Sequence, residues 1–145
     1  MSTSRETVRD KLVTLFTAVL IGTGLPCKTV TGSKVKKLEG LTPLVSVLSD
    51  GTLRERETFM GDIPTFFLEV QVWVLQEATG WTNAQAEDGL DTIEGLIAGV
   101  YEDNRRVDEF ELLELDDRTR VLEVTVSGVP YYLERIPTVA KLSKS

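Results

Sequence analysis

The chain has 145 residues, of which 41% are hydrophobic, and a formal net charge of -7. This length predicts one domain with its own core, spanning residues 1–145. The negative charge repels phosphate backbones, so nucleic-acid binding is not expected as the main function.

The sequence contains no histidine and only one cysteine, Cys27. Histidine is the commonest general base and the commonest metal ligand, so its absence removes Ser-His and Cys-His nucleophile pairs. Cys27 has no partner for an intrachain disulfide, and we expect it to pack in the core. We therefore predict no enzymatic activity, no cofactor and no bound metal.

The apolar stretch Leu12 to Ile21 follows three basic residues and superficially resembles a secretory signal. Acidic residues interrupt the basic segment, and threonines interrupt the apolar one. Leu25-Pro26-Cys27 is neither a small-residue cleavage site nor a lipid-attachment box. The stretch is also too short to span a membrane, so we expect neither a signal peptide nor a membrane anchor.

Two segments have the apolar spacing of amphipathic helices, residues 4–21 and a stretch from Thr82 to about Glu102. The residues that carry the spacing are Val8, Leu12, Leu15, Phe16, Val19 and Leu20 in the first segment and Ala86, Leu90, Ile93, Ile97 and Val100 in the second. Gly95 and Gly99 either let another backbone come close or are tolerated surface glycines.

Between the helices, Pro43 to Leu48 is rich in strand-forming residues, and Ser49 to Thr52 has the chemistry of a hairpin turn. A polar strand is predicted from Leu53 to Phe59. The clearest strand runs from Phe66 to Leu75, where one alternating face is wholly apolar and the other is mixed and expected to be partly covered.

After the second helix, Phe110 to Leu115 and Arg120 to Val126 are predicted to form a hairpin around residues 116–119. Pro137 argues against a central strand over Tyr131 to Pro137, and that segment stays unassigned. A flexible loop is predicted at about 31–40 and a loose tail at about 138–145.

Helix, strands, helix and strands follow each other in this order. Hairpin turns make a sheet mainly antiparallel, and two amphipathic helices bury their apolar stripes most simply against one sheet face. The predicted fold class is therefore α+β, a two-layer sandwich of a mainly antiparallel sheet with two helices packed on one face.

Motifs for small-molecule chemistry are weak. Gly22 to Pro26 lacks the further glycine of a dinucleotide loop and the lysine of a nucleoside-triphosphate loop. Eight acidic residues lie between Glu102 and Asp117, and they suit either a hard cation or a solvated surface, although their spacing matches no calcium loop. Trp81 is either a staple at the start of the second helix or an exposed anchor for a partner.

Charge is unevenly distributed, with lysines around residues 28–37 and acids between Glu102 and Asp117. Opposite surfaces of identical subunits could therefore meet head to tail, a contact that closes into a ring when the rotation permits. The candidate protein-interface residues are Lys34, Lys36, Lys37, Arg54, Arg56, Trp81, Glu109, Glu111, Glu114, Asp116 and Asp117.

The chain resembles the tail terminator proteins of long-tailed bacteriophages, the minor tail protein U family of lambda-like phages. The resemblance covers nearly the whole chain in element order. It includes Arg5-Glu6-Thr7-Val8-Arg9 in the first helix, Thr42 to Val47, the charged segment Arg54-Glu55-Arg56-Glu57, and the alternating strand Phe67 to Val74. The region Cys27 to Gly40 and the residues after Val126 depart from the family pattern.

The resemblance implies a virion structural protein, made in the cytoplasm of the bacterial host, that forms a homohexameric ring near the neck of the phage. The ring would cap the head-proximal end of the tail tube, stop the tube protein from polymerising and offer a docking surface to the head-tail connector or head-completion protein. DNA would only pass through it as cargo. Two alternatives remain: a head-tail joining or head-completion protein, and a small ligand-binding domain or enzyme with a cavity between sheet and helices.

Overall fold

A computed structural model of the chain describes residues 5–33, 38, 41–57, 61–76, 83–104, 106–107, 110–114 and 120–142. Within these residues it contains two helices and seven strands. In chain order they are α1 (Arg5–Leu20), β1 (Thr29–Thr31), β2 (Leu44–Glu57), β3 (Gly61–Leu75), α2 (Asn83–Asp103), β4 (Arg106–Val107), β5 (Phe110–Glu114), β6 (Arg120–Val126) and β7 (Val129–Leu142).

The strands form one sheet in the order β1-β2-β3-β7-β5-β4, and β6 also pairs with β7. Only the β1–β2 pair is parallel among the described strands. Both helices pack against one face of this sheet, which we call the helix face, and the other face is called the open face. The predicted α+β class, with a mainly antiparallel sheet and two helices against it, is confirmed.

Each helix buries a single stripe. Four residues of α1 spaced four apart, Val8, Leu12, Phe16 and Leu20, are fully buried. In α2 the predicted residues Ala86, Leu90, Ile93, Ile97 and Val100 are buried, and Tyr101 is buried beside them. Residues three and four apart lie on the same side of a helix, so both stripes reach the sheet together. Thr82, the predicted N-cap, lies outside the described residues.

Strand β3 confirms the predicted alternation. Its helix-face residues, Phe66, Leu68, Val70, Val72 and Val74, are all buried, while Phe67, Glu69, Gln71, Trp73 and Leu75 on the open face are half-buried. Cys27 is buried in the same core, as expected.

The hairpin turn predicted at Ser49 to Thr52 is wrong. Strand β2 runs through this segment without reversing, and Asp50 is an extra residue between Ser49, which pairs with Leu68, and Gly51, which pairs with Phe67. Gly51 has a φ of 129°, which glycine adopts without strain. The turn-forming residues therefore make a β-bulge, and the true reversal lies between Glu57 and Gly61.

The last third of the chain also differs from the prediction. Strand β7 is central, with β3 on one edge and both β5 and β6 on the other. Pro137 fits because β5 pairs no further than Thr138 and β6 begins at Arg135, so position 137 falls in a break between its two described partners. The loose tail predicted at about 138–145 is wrong over 138–142, since Thr138 and Ala140 are buried within β7, and residues 143–145 lie outside the described part of the chain.

The hairpin predicted between β5 and β6 is wrong, because the two strands lie end to end along β7 and do not pair with each other. The hairpin instead joins β6 to β7 through a two-residue turn. Ser127 and Gly128 both have positive φ, 51° and 78°, which is the geometry of the tight turn that suits the twist of a hairpin.

Part of the predicted loop at 31–40 is ordered. Thr31 ends β1, and the Leu38 side chain is buried, whereas residues 34–37 and 39–40 lie outside the described part of the chain. Within one copy of the chain, no described backbone comes close to Gly95 or Gly99, because a Cβ atom at either position would meet nothing within 4 Å. Both are tolerated glycines of the helix surface.

Candidate interaction surface

The open face of β3 carries a row of polar side chains joined to each other. Trp73 Nε1 donates a hydrogen bond to Gln71 Oε1 at 3.3 Å, and Gln71 Nε2 donates to Glu69 Oε2 at 2.6 Å. Residues two apart on a strand share a face, so this row follows directly from the Glu-Val-Gln-Val-Trp alternation. We call Glu69, Gln71, Trp73 and Arg135 the polar row.

Arg135 extends the polar row onto the neighbouring strand β7. Its Nε donates to Glu69 Oε1 at 2.8 Å, and its Nη2 lies 2.6 Å from the same oxygen. The hydrogen bond and the charge of Glu69 raise the pKa of the Arg135 guanidinium. Glu69 therefore accepts from both sides, and its carboxylate is held in a fixed position on the sheet.

Aromatic and aliphatic groups surround the polar row. The Trp73 and Tyr131 rings meet edge to face with centroids 6.2 Å apart, and Phe67 and Leu75 are half-buried on the same face. Neither helix covers this face. Leu44, Tyr131 and Leu133 of the same face are buried, so the part that a partner can reach lies around Arg135 and the half-buried side chains of β3. Ordered aromatic and hydrogen-bonded polar groups of this kind are typical of a protein-binding surface.

Among the described residues, the β2–β3 hairpin extends past the rest of the sheet. Pairing between β3 and β7 stops at Thr65, whereas β2 and β3 stay paired for four further positions, from Arg54↔Pro64 to Glu57↔Gly61. We call residues 54–57 and 61–64 the hairpin arm. Two predicted interface residues, Arg54 and Arg56, lie in it and share one alternating face of β2.

The bulge at Asp50 decides on which side of the sheet these arginine positions fall. Before it, Val45 and Val47 lie on the helix face; after it, Thr52 pairs with Phe66, so even-numbered positions take that face. A strand without the extra residue would place positions 54 and 56 on the open face. The side chains themselves lie outside the described part.

The predicted acidic surface is only partly described. Glu111 pairs with Arg106 on β4 and with Lys141 on β7, and Glu114 pairs with Thr138. Position 111 thus has basic positions on both sides, so the predicted acidic surface is interrupted here. The remaining candidates lie outside the described residues, namely Lys34, Lys36, Lys37, Trp81, Glu109, Asp116 and Asp117.

On the helix face, β6 is bare. Val121, Glu123 and Thr125 are all exposed. Beside them, desolvation raises the pKa of Tyr132, as do the carboxylates of Glu87 and Glu123; the Tyr132 hydroxyl also donates to Glu87 at 3.4 Å.

Sequence reasoning missed the polar row because its two halves are 66 residues apart in the chain. The polar alternation of β3 was visible, but the partner strand was not recognised. Within the described ranges, no group of three or more acidic or cysteine side chains comes together as a metal site. Neither helix is long and apolar enough to cross a membrane.

Comparison with protein-family models and with curated protein sequences gives no match for this chain.

Proposed function

We propose that this chain is a tail terminator of a long-tailed bacteriophage, a structural subunit that assembles into a ring on the head-proximal end of the tail tube. One face of the ring would bind the last ring of tube protein, and the other would refuse a further tube subunit and receive the head-tail connector. The proposal rests on the resemblance in element order and on surfaces suited to protein contact.

The observation that carries the proposal is the hairpin arm. Four residue pairs of β2 and β3 extend past the described strands that flank them elsewhere, and the arm is rich in charge: Arg54, Glu55, Arg56, Glu57 and Asp62. A two-stranded ribbon has little stability alone, so its length is better explained by contact with a partner. A charged arm also favours a selective partner, because like charges across an interface are strongly unfavourable.

The polar row on the open face supplies a second, separate contact surface. The row is prearranged by internal hydrogen bonds, so little side-chain freedom is lost when a partner binds. Trp73 lies half-buried at the end of this row, and tryptophan is among the residues that most often dominate binding energy. Two distinct contact surfaces suit a subunit that meets both the tail tube and the head-tail connector.

The competing proposal within the same class is a head-tail joining or head-completion protein, which would bind the connector and ignore the tube. A small ligand-binding domain or enzyme is the competitor from another class. A chain without histidine has few routes to acid-base catalysis at neutral pH, and we propose no enzymatic activity.

The deciding experiment is negative-stain imaging of the purified protein, alone and mixed with tail tubes of the phage that encodes it. Rings at one tube end support a terminator, whereas binding to connectors but never to tubes supports the joining protein. The Arg54→Glu/Arg56→Glu variant should lose tube binding. Asp88→Lys/Asp91→Lys, a double charge reversal at exposed positions of α2, is the matched control and should retain it.

A further inference from the structure

Among the described residues, β6 forms a long edge of the sheet with no strand beside it. This seven-residue strand pairs with β7 on one side, and no strand of the described part lies on its other side. Its sequence, Arg-Val-Leu-Glu-Val-Thr-Val, contains neither proline nor lysine, and Val121 is 52% exposed. Proteins usually block such an edge, because its free N–H and C=O groups are a template for another strand.

Among the described strands, the opposite edge of the sheet is β1, and its direction complements that of β6. Strand β1 is parallel to β2, and each of the steps from β2 to β3, β7 and β6 is antiparallel. Three reversals make β6 antiparallel to β1. Two copies placed side by side, with their helices on the same side, would therefore bring β6 of one against β1 of the next as an antiparallel pair.

We propose that β6 of one copy pairs with β1 of a second copy, so that the sheet continues from subunit to subunit. This inference rests on the proposed function, since it identifies the contact through which a ring of identical chains would form. Such a contact joins two different surfaces and repeats around a closed ring.

Side chains select one register for this pair. Val121 and Glu123 lie on the helix face, opposite Glu134 and Tyr132 of β7, and Val30 lies on the same face, opposite Val45 of β2. When the helix faces of the two copies lie on the same side, one register puts Glu123 opposite the exposed Lys28. The same register puts Val121 opposite Val30. A shift of two residues either way loses both matches, so charge and apolar contact agree on one alignment.

The helix layer supports the same arrangement. In a single copy the helix-face residues of β6 are exposed, whereas Val30 of β1 is partly buried against the core beneath α1. With the strands paired, α1 of the second copy would lie beside the bare side of β6. Val121, the most exposed of the large hydrophobic residues in the described part, would then be covered.

A charge exchange tests the register. Glu123→Lys and Lys28→Glu should each raise the protein concentration needed for assembly by about tenfold, because each places like charges together. The double variant, and an equimolar mixture of the two single variants, should restore assembly. Asp91→Lys, exposed on α2, should assemble normally. Single variants that assemble normally, or a double variant no better than the single ones, would overturn the register.

Cross-linking tests the contact itself. In a Cys27→Ala background, Thr29→Cys with Leu122→Cys should give a ladder of covalent oligomers on oxidation, whereas Thr29→Cys with Val126→Cys should give little. Melting temperatures would confirm that each variant is folded. Tube-capping rings without a ladder would overturn the edge contact and leave the proposed function intact. A ladder without tube binding would support the edge contact and count against the terminator.

Discussion

Arg135 on β7 donates to Glu69 on β3 although the two are not direct cross-strand partners. Glu69 pairs with Pro137 and Arg135 pairs with Gln71, so the 2.8 Å hydrogen bond crosses the sheet diagonally. The Glu69 side chain is 16% exposed and that of Arg135 is 47% exposed. We therefore expect the two side chains to contribute unequally to the stability of the fold, because Glu69 also accepts a hydrogen bond from Gln71.

We expect Arg135→Ala to lower the free energy of unfolding by less than about 1 kcal/mol, since a solvent-exposed ion pair contributes little. Glu69→Ala removes the acceptor of two hydrogen bonds and should cost about 1–2 kcal/mol. Urea denaturation would measure both. Arg120→Ala is the control: Arg120 is exposed and pairs directly with Arg135, so its removal relieves like charge and should not destabilise. Equal losses for Arg135 and Glu69 would contradict this order.

A second prediction concerns the buried hydroxyl pair Tyr101 and Thr138, which links α2 to β7. The Thr138 hydroxyl donates to the Ile136 carbonyl, so Tyr101 must donate to Thr138. Tyr101→Phe should cost about 1 kcal/mol by removing that donor. Thr138→Val should cost more, about 1–3 kcal/mol, because it removes both the acceptor of the tyrosine hydroxyl and the donor to the Ile136 carbonyl.

The double variant Tyr101→Phe/Thr138→Val separates the hydrogen bond from packing. Denaturation midpoints of all four proteins form a double-mutant cycle. Losses that simply add would show that the two hydroxyls do not interact in solution.

The elements predicted correctly from the sequence are those whose pattern is local. In both helices and in β3, the spacing of the apolar residues does not depend on which element packs against them. Periodicity was therefore enough to identify their buried faces. The bulge was misinterpreted because Ser49-Asp50-Gly51 has the same chemistry as a hairpin turn. Only pairing with β3 distinguishes the two.

Strand β7 shows the other limit. Pro137 argues against a central strand unless the neighbouring edge is interrupted at that position, and the interruption depends on β5 and β6 lying end to end. Such long-range register leaves no local signal. Only part of the polar row could therefore be predicted from the sequence. Glu69, Gln71 and Trp73 follow from the alternation of β3, but Arg135 could not be placed without knowing the position of β7.

The helix glycines give a third prediction. Gly95 and Gly99 lie inside α2, and a Cβ atom at either position would meet nothing within 4 Å. Alanine has the higher helix propensity, so Gly95→Ala and Gly99→Ala should each stabilise the monomer by about 0.5–1 kcal/mol in thermal or urea unfolding. Gly51→Ala is the contrasting control and should destabilise, because its φ of 129° is strained for alanine. Loss of stability at Gly95 would mean that a neighbour packs there.

The fourth prediction follows from Cys27. Burial raises the pKa of its thiol from 9.0 to about 12. The folded state thus keeps its proton at a pH where the unfolded chain releases it, and rising pH favours unfolding. The stability that the protonated Cys27 thiol contributes is fully present below pH 9. It is lost between pH 9 and about 12, and the free energy of unfolding falls by no more than about 1.4 kcal/mol per pH unit.

Comparison with Cys27→Ala isolates this contribution, since the tyrosines and lysines titrate in both proteins. The difference in unfolding free energy between the native chain and the variant should be constant from pH 7 to 8 and should fall as the pH rises above 9. Urea denaturation at a series of pH values measures it. Parallel curves up to pH 11 would mean that the thiol ionises as easily in the folded protein as in the unfolded chain, and that Cys27 is less shielded than its burial indicates.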